Sequence, residues 1–317
     1  MTSVSRREFL QASAAGALAV SLGSELMSTV ANAADVASGY VDAHSHIWTT
    51  DLEKFPLANG QTRADLKPES FTADELLALA GKSGVTRVVL IQHRPYHGVD
   101  NSYITSAIAQ HPGRFGAVAC IDEAAPHPEK EMDRLKAQGV IGFRIRPGEG
   151  GTKLWRDSAG IRAMWEHAGK SGLAICPLID PENIAQVDEM CGRYPDATVV
   201  VDHFARVGMA GPVEESQLKA LADLARHKTA HVKISAYYAL GNKKPPHTEL
   251  LPMIRRLYET YGAKRLMWGS DCPYQLTAPN NYPDSVALVR DRIDFVTAEE
   301  RDWLLRKTAE SVFFPKA

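Results

Sequence analysis

The chain has 317 residues, 44% of them hydrophobic and 23% charged, with a formal net charge of -2. That is ordinary globular composition with ample length for one large core, and a single domain of barrel size fits it. Near-neutral charge without a long charge run gives no electrostatic footprint for nucleic acid or an anionic membrane surface, so a small molecule is the expected partner.

Ser5-Arg6-Arg7-Glu8-Phe9-Leu10 reads as a twin-arginine export signal, followed by an Ala/Leu/Val-rich stretch. Ala31-Asn32-Ala33 supplies the small residues of a cut before Ala34. The apolar run is shorter than the ~20 residues a bilayer span needs. Residues 1–33 are therefore assigned to the signal and 34–317 to one domain, periplasmic or otherwise exported, with the export machinery as a partner and no membrane span after processing. The four cysteines show no framework spacing and read as small buried hydrophobes.

Past the signal, short β-branched runs alternate with helical stretches. Strands are expected near Tyr40 to Ile47, Thr86 to Gln92, Gly116 to Ile121, Val140 to Arg146, Leu173 to Ile179, Thr198 to Phe204, His231 to Ala236 and Arg265 to Asp271. Several are nearly continuous in apolar residues, as buried parallel strands are. Thr72-Ala73-Asp74-Glu75 and Thr297-Ala298-Glu299-Glu300 read as capping boxes at helix starts. Eight such units predict an α/β fold, a single (β/α)8 TIM barrel. An open doubly wound sheet would carry a Gly-rich phosphate loop after its first strand, where this chain has histidines. Long connections at Trp48 to Phe71, Tyr237 to Leu250 and Cys272 to Pro283 would open on the C-terminal face, where barrels build their sites. Glu149, among Gly148, Gly150 and Gly151, reads as a mobile lip over that face.

Val41-Asp42-Ala43-His44-Ser45-His46 ends the first strand, and side chains two apart on a strand point the same way. His44 and His46 are thus expected on the barrel axis as half of a metal site. His203 closes the apolar run Val199-Val200-Val201-Asp202, and Asp271 closes Leu266-Met267-Trp268-Gly269-Ser270. A buried carboxylate there needs a cation or a proton to move.

These motifs, D-x-H-x-H at strand one, V-x-D-H at strand six, G-S-D-x-P at strand eight and Thr308-Ala309-Glu310-Ser311-Val312-Phe313-Phe314 at the end, resemble the amidohydrolase superfamily over about Tyr40 to Pro315. They are similar to its second family, the branch of sugar lactonases, dicarboxylate lactonases and some decarboxylases. The resemblance implies His44, His46 and Asp271 as metal ligands or their relics, with His203 and Asp271 catalytic and Asp271 handling the proton. Two departures stand out. Strand five, Leu173 to Asp180, lacks the family's histidine, leaving a ligand slot to water, Cys176 or Asp180, and strand four lacks the lysine that bridges two metals. One divalent ion, Zn2+ or Mn2+, is then the most the site should hold, and members of this branch that work without metal make a metal-independent route the alternative.

Arg144 and Arg146, two apart on strand four, are expected to share a face and bind the substrate's carboxylate or polyhydroxylated lactone. Gln92, His93, Lys233, Ser235 and Tyr237 are weaker candidates. His97, His111, His127, His167, His227 and His247 fall in loops or helices, where solvent exposure is expected. The expected reaction is hydrolysis of a lactone or related ester or amide in a small carboxylated or sugar-derived molecule. The alternatives are non-oxidative decarboxylation of an aromatic or unsaturated acid, and a non-catalytic periplasmic binding protein.

Overall fold

Eight strands of four to seven residues run parallel in the order in which the chain makes them. They are β1 (Tyr40–Ser45), β2 (Val85–Ile91), β3 (Phe115–Ala119), β4 (Val140–Ile145), β5 (Ala174–Pro177), β6 (Thr198–Val201), β7 (Ala230–Ser235) and β8 (Leu266–Gly269). The computed structural model describes residues 38–147 and 155–314. The export signal with its cut site, and the glycine-rich stretch around Glu149, lie outside the described residues. The sheet closes on itself: Ser45 bridges Cys272 in parallel, Asp271 N donates to His44 O (2.7 Å) and His46 N donates to Cys272 O (2.8 Å). Closure settles the choice between barrel and open sheet, and the expected (β/α)8 barrel is the fold.

The main helices are α1 (Ala73–Gly81), α2 (Ser102–Gln110), α3 (Pro128–Lys136), α4 (Ala159–Ser171), α5 (Ile184–Arg193), α6 (Glu215–Asp223), α7 (Leu251–Tyr261) and α8 (Tyr282–Ala287). Each turns one stripe inward. In α4, Ile161, Met164, Trp165 and Ala168 are buried at helical spacing; Ser158 Oγ caps its start by accepting from Ile161 N, and Gly172, at φ 68°, ends it. In α7 the stripe is Met253, Ile254, Leu257 and Tyr261. Burying each large apolar side chain contributes roughly 1.5–3 kcal/mol, so these stripes hold the outer layer on the strands. Both expected capping boxes are present, at Thr72/Glu75 and Thr297/Glu300. Among the described residues no helix is long and apolar enough to cross a membrane.

The barrel's floor is a second apolar cluster: Val41, Ala43, Val89, Ile91, Val118, Cys176, Val200 and Met267, with Phe313 from the C-terminal segment. These residues come from strands on opposite sides of the sheet, so they can meet only inside it. Their parity exposes a departure from simple alternation. Val41 and Ala43 already face inward, which would send His44 and His46 outward, but the register between Asp42 and Ser45 slips against β2. That bulge re-aims the strand and brings His44 into the lumen above the floor. Cys120, Cys176, Cys191 and Cys272 are all free and buried.

Candidate active site

The walls of the site are fixed by a carboxylate that never reaches the cleft. Asp42 is fully buried and accepts from Ser270 N (2.8 Å), Ser270 Oγ (2.5 Å), Tyr282 OH (2.9 Å) and His44 N (3.0 Å). It ties β1 to the end of β8, placing His44 beside Asp271. Burial pushes its carboxyl up to about 6. Gly269 is needed at the same seam: a Cβ there would lie 2.9 Å from His44 Cβ and 3.0 Å from His44 N.

Strands β6, β7 and β8 each leave the barrel through left-handed backbone at residues other than glycine. The φ angles are 52° at His203, 55° at Phe204, 51° at Ala205, 57° at Arg206, 60° at Ala236 and 62° at Asp271. Each costs about 1–2 kcal/mol, and such strain concentrates at functional sites.

Asp271 is the convergence point. His46 Nε2 lies 3.2 Å and His44 Nε2 3.5 Å from its Oδ1, while His203 Nε2 is 3.7 Å from its Oδ2. Tyr238 OH donates to Oδ2 at 2.8 Å. Burial would raise this carboxyl, but the imidazoles of His203, His46 and His44 around it together hold it well below the usual carboxylate range. Burial lowers His203 to about 4, so at neutral pH its ring is uncharged. Its Nδ1 is held by Ser235 Oγ at 2.8 Å.

Behind Asp271 sits a charge cluster that the sequence reading missed in part. Asp202 is fully buried and takes Arg144 Nη2 at 2.8 Å, Lys233 Nζ at 3.0 Å and His44 Nδ1 at 3.2 Å. Burial raises Asp202, but Lys233 and Arg144 outweigh it and hold the carboxyl far down. Arg144 Nη2 also donates to His44 Nε2 (2.9 Å). A guanidinium only donates, so His44 Nε2 is an acceptor and the ring's proton sits on Nδ1, toward Asp202. Burial and the neighbouring His203 and Lys233 keep His44 from charging. Arg144 stands across the β4–β5 ladder from Cys176. Burial pushes the Cys176 thiol up to about 12, and Asp180 pairs with Arg206 at 3.0 Å. Neither stands as a ready metal ligand.

The donor set suits a divalent ion. Single atoms of His44, His203 and Asp271 all lie within 4.8 Å of one another. His46 Nδ1 donates to Ile91 O (2.8 Å), which turns a bare Nε2 toward Asp271 Oδ1, and that oxygen is buried without a hydrogen-bond partner. Two acceptors so placed need a proton or a cation between them. Imidazole and carboxylate are the ligands zinc takes. An ion drawing on His44 as well would have to take over the nitrogen to which Arg144 donates.

Above these residues opens a cleft of about 220 Å³, lined by His46, His93, Arg94, Arg144, Arg146, His203, Arg206, Tyr238, Asp271 and Tyr274 among others. Arg146 faces it as expected, and no carboxylate among the described residues pairs with it. Arg144 lines it too, with its Nη2 engaged by Asp202 and His44. Arg94 and Arg206 were not expected, nor were Tyr238 and Tyr274; all four lie just past strand ends, in single helical turns too short for pattern to mark. Gln92 lines the cleft, Lys233 and Ser235 brace Asp202 and His203, and Tyr237 is buried beside them. Two of the histidines expected in solvent are buried. His97 Nδ1 meets Pro56 O at 3.2 Å, and His247, wholly buried, packs its ring against Tyr237. The long loops bend back over the barrel and cover them.

The amidohydrolase family profile matches residues 41–314, nearly the whole described chain. The chain belongs to the amidohydrolase family. It is 27% identical over 237 residues to an L-fucono-1,5-lactonase of Burkholderia ambifaria, covering 74% of this chain and 80% of that one. It is also 27% identical over 265 residues to a 4-sulfomuconolactone hydrolase of Hydrogenophaga intermedia, covering 83% and 84%. Among solved structures, a probable 2-pyrone-4,6-dicarboxylic acid hydrolase of Acinetobacter baumannii with citric acid bound superposes with a TM-score of 0.73 at 22% identity, covering 87% and 99%. This amidohydrolase is thus a lactonase-like hydrolase, and the site above is where its chemistry is to be sought.

Proposed function

We propose that this amidohydrolase opens a small lactone that carries a carboxylate or other anionic group. The observation that carries the reading is the ionised Asp271 aimed into a cleft whose wall and mouth hold Arg94, Arg146 and Arg206. The cleft is smaller than the roughly 300–1,000 Å³ typical of drug-sized pockets, which favours a single small ring. Three of the similar proteins are named for lactones or for a pyrone, and two of those names describe sulfonated or dicarboxylated molecules.

The substrate's anionic group pairs with Arg146 and Arg206, presenting the ring's carbonyl to Asp271. Asp271 takes a proton from water, whose oxygen attacks the carbonyl carbon. Arg144 is the fixed positive charge nearest the site of attack and, with His203, stabilises the developing oxyanion in a water-poor setting. A divalent ion held by His44, His203 and Asp271 once Arg144 yields His44 Nε2, with His46 Nε2 3.2 Å from the same carboxylate, would add Lewis-acid polarisation of the carbonyl. The sequence's twin-arginine signal would put this reaction outside the cytoplasm.

The test is a kinetic panel of δ-lactones with and without a carboxylate, run on parent and Arg146→Ala. The parent should favour the carboxylated lactone at least about tenfold in kcat/KM, and Arg146→Ala should raise KM for that substrate alone. Equal turnover of both lactones, or CO2 release without ring opening, would overturn the reading.

A further inference from the structure

His93 and Tyr274 form a pair in the cleft that the steps above do not use. His93 Nε2 lies 2.6 Å from Tyr274 OH, and His93 Nδ1 is buried with no partner. The imidazole is clamped against Trp48 (ring centroids 4.8 Å) and Tyr96 (4.2 Å), so it cannot turn to find another. With no acceptor beside Nδ1, the ring has one place for its proton to be satisfied. A proton on Nδ1 would be an orphaned buried donor, the rarer and costlier defect, whereas a bare nitrogen there is tolerated better. The proton therefore belongs on Nε2, and His93 donates to the tyrosine oxygen.

That assignment leaves the hydroxyl hydrogen of Tyr274 without an acceptor among the described residues. Tyr238, stacked on Tyr274 with ring centroids 6.2 Å apart, has given its own hydroxyl hydrogen to Asp271. Tyr274 is the cleft hydroxyl with a proton still to give. Lactone opening needs such a group, because the ring oxygen departs as an alkoxide unless it is protonated as the bond breaks.

We propose that Tyr274, held by His93, donates its proton to the ring oxygen as the lactone opens; this rests on the lactone-hydrolase reading. The water oxygen bonds to the carbonyl carbon and its proton passes to Asp271. When the adduct collapses, the bond from that carbon to the ring oxygen breaks; the oxygen keeps the electron pair and takes the Tyr274 proton. The tyrosinate is stabilised by the Nε2–H of His93. The proton held on Asp271 then restores it, so lactone and water give a hydroxy acid and the site returns unchanged. Tyr274 is a catalytic residue in this scheme and His93 a positioning one.

The experiment compares two substrates for parent, Tyr274→Phe, His93→Leu and His93→Gln: a carboxy-substituted δ-valerolactone, which expels an alkoxide, and a carboxy-substituted dihydrocoumarin, which expels a phenoxide. The ratio between substrates is insensitive to the fraction of enzyme folded. Tyr274→Phe should lose about 10²–10³-fold in kcat on the aliphatic lactone and less than about fivefold on the aryl one, because a phenoxide leaves without help. His93→Leu should follow it, and His93→Gln, which can still offer an N–H, should recover most of the ratio. Equal losses on both lactones, or none, would overturn the role of Tyr274 while leaving lactone hydrolysis intact. A parent that opens neither lactone would overturn the underlying reading, and the proposal with it.

Discussion

Replacing Arg144 by Met tests how the charge cluster governs metal affinity. The guanidinium contacts His44 Nε2 at 2.9 Å and Asp202 at 2.8 Å, both buried. Breaking a buried ion pair costs about 3–5 kcal/mol, and the lower end applies because Lys233 stays 3.0 Å from Asp202. At about 2–4 °C per kcal/mol for a large domain, Tm should fall by about 6–12 °C. Metal binding should move the other way. A unit charge 4 Å from another costs or yields on the order of 4 kcal/mol at an effective dielectric of 20, and a divalent ion beside Arg144 pays twice that. Even after screening and rearrangement, Arg144→Met should tighten Zn2+ binding by at least about 100-fold, as His44 Nε2 becomes a free ligand. Competitive chelator titration reads the affinity, and a thermal scan with and without Zn2+ should show the ion recovering much of the lost Tm. Identical Zn2+ affinity in parent, Arg144→Met and Arg144→Lys would refute the reasoning.

Other consequences follow from the same geometry. Burial lowers His203 to about 4 and His93 to about 2, so between those values and 6.5 the unfolded chain binds more protons and stability falls as pH drops, on the order of 3 kcal/mol from His203 alone. Asp42, raised to about 6, works in the opposite sense between about 6 and 3.8, yet with His44 also held down the histidines prevail, and a Tm that is level or rising from pH 7.5 to pH 5 would contradict this. Gly269→Ala should destabilise by about 1–3 kcal/mol through its clash with His44 and lower kcat as well, whereas parental Tm and kcat would show that the seam is loose. Arg6→Lys with Arg7→Lys should strand the protein in the cytoplasm on fractionation; normal export would refute the signal.

Much of the frame could be read from the chain because its signals are local. Runs such as Thr198 to Val201 are too apolar and β-branched for anything but buried strands, and Thr72 and Thr297 announce their helices by side-chain chemistry. The ends of β1, β6 and β8 could be singled out because a polar residue that closes an apolar strand is conspicuous. What pattern could not give was direction. Strict alternation would have accounted for His44 and His46, but the lumen also takes Val41 and Ala43, and a bulge invisible in the sequence reconciles them. Asp202 was passed over beside His203, although an Asp-His pair at a strand end was the available signal. That Arg144 also pairs with Asp202, beside Lys233, was not legible, because nothing along the chain shows that these residues, far off in sequence, close on one another. Burial of His97 and His247 depends on how long loops fold back, which local composition does not encode.

Asp271→Asn, assayed on a carboxylated lactone, tests the central claim most directly. The amide keeps the shape and can still accept from Tyr238, but it cannot take a proton from water. General-base help is worth about 10²–10⁴-fold, so kcat should fall by that order with KM changed little and the circular dichroism of the barrel unaltered. A variant that opens the lactone within a few-fold of the parent rate would contradict the account and leave Asp271 as a member of the buried ion-pair network.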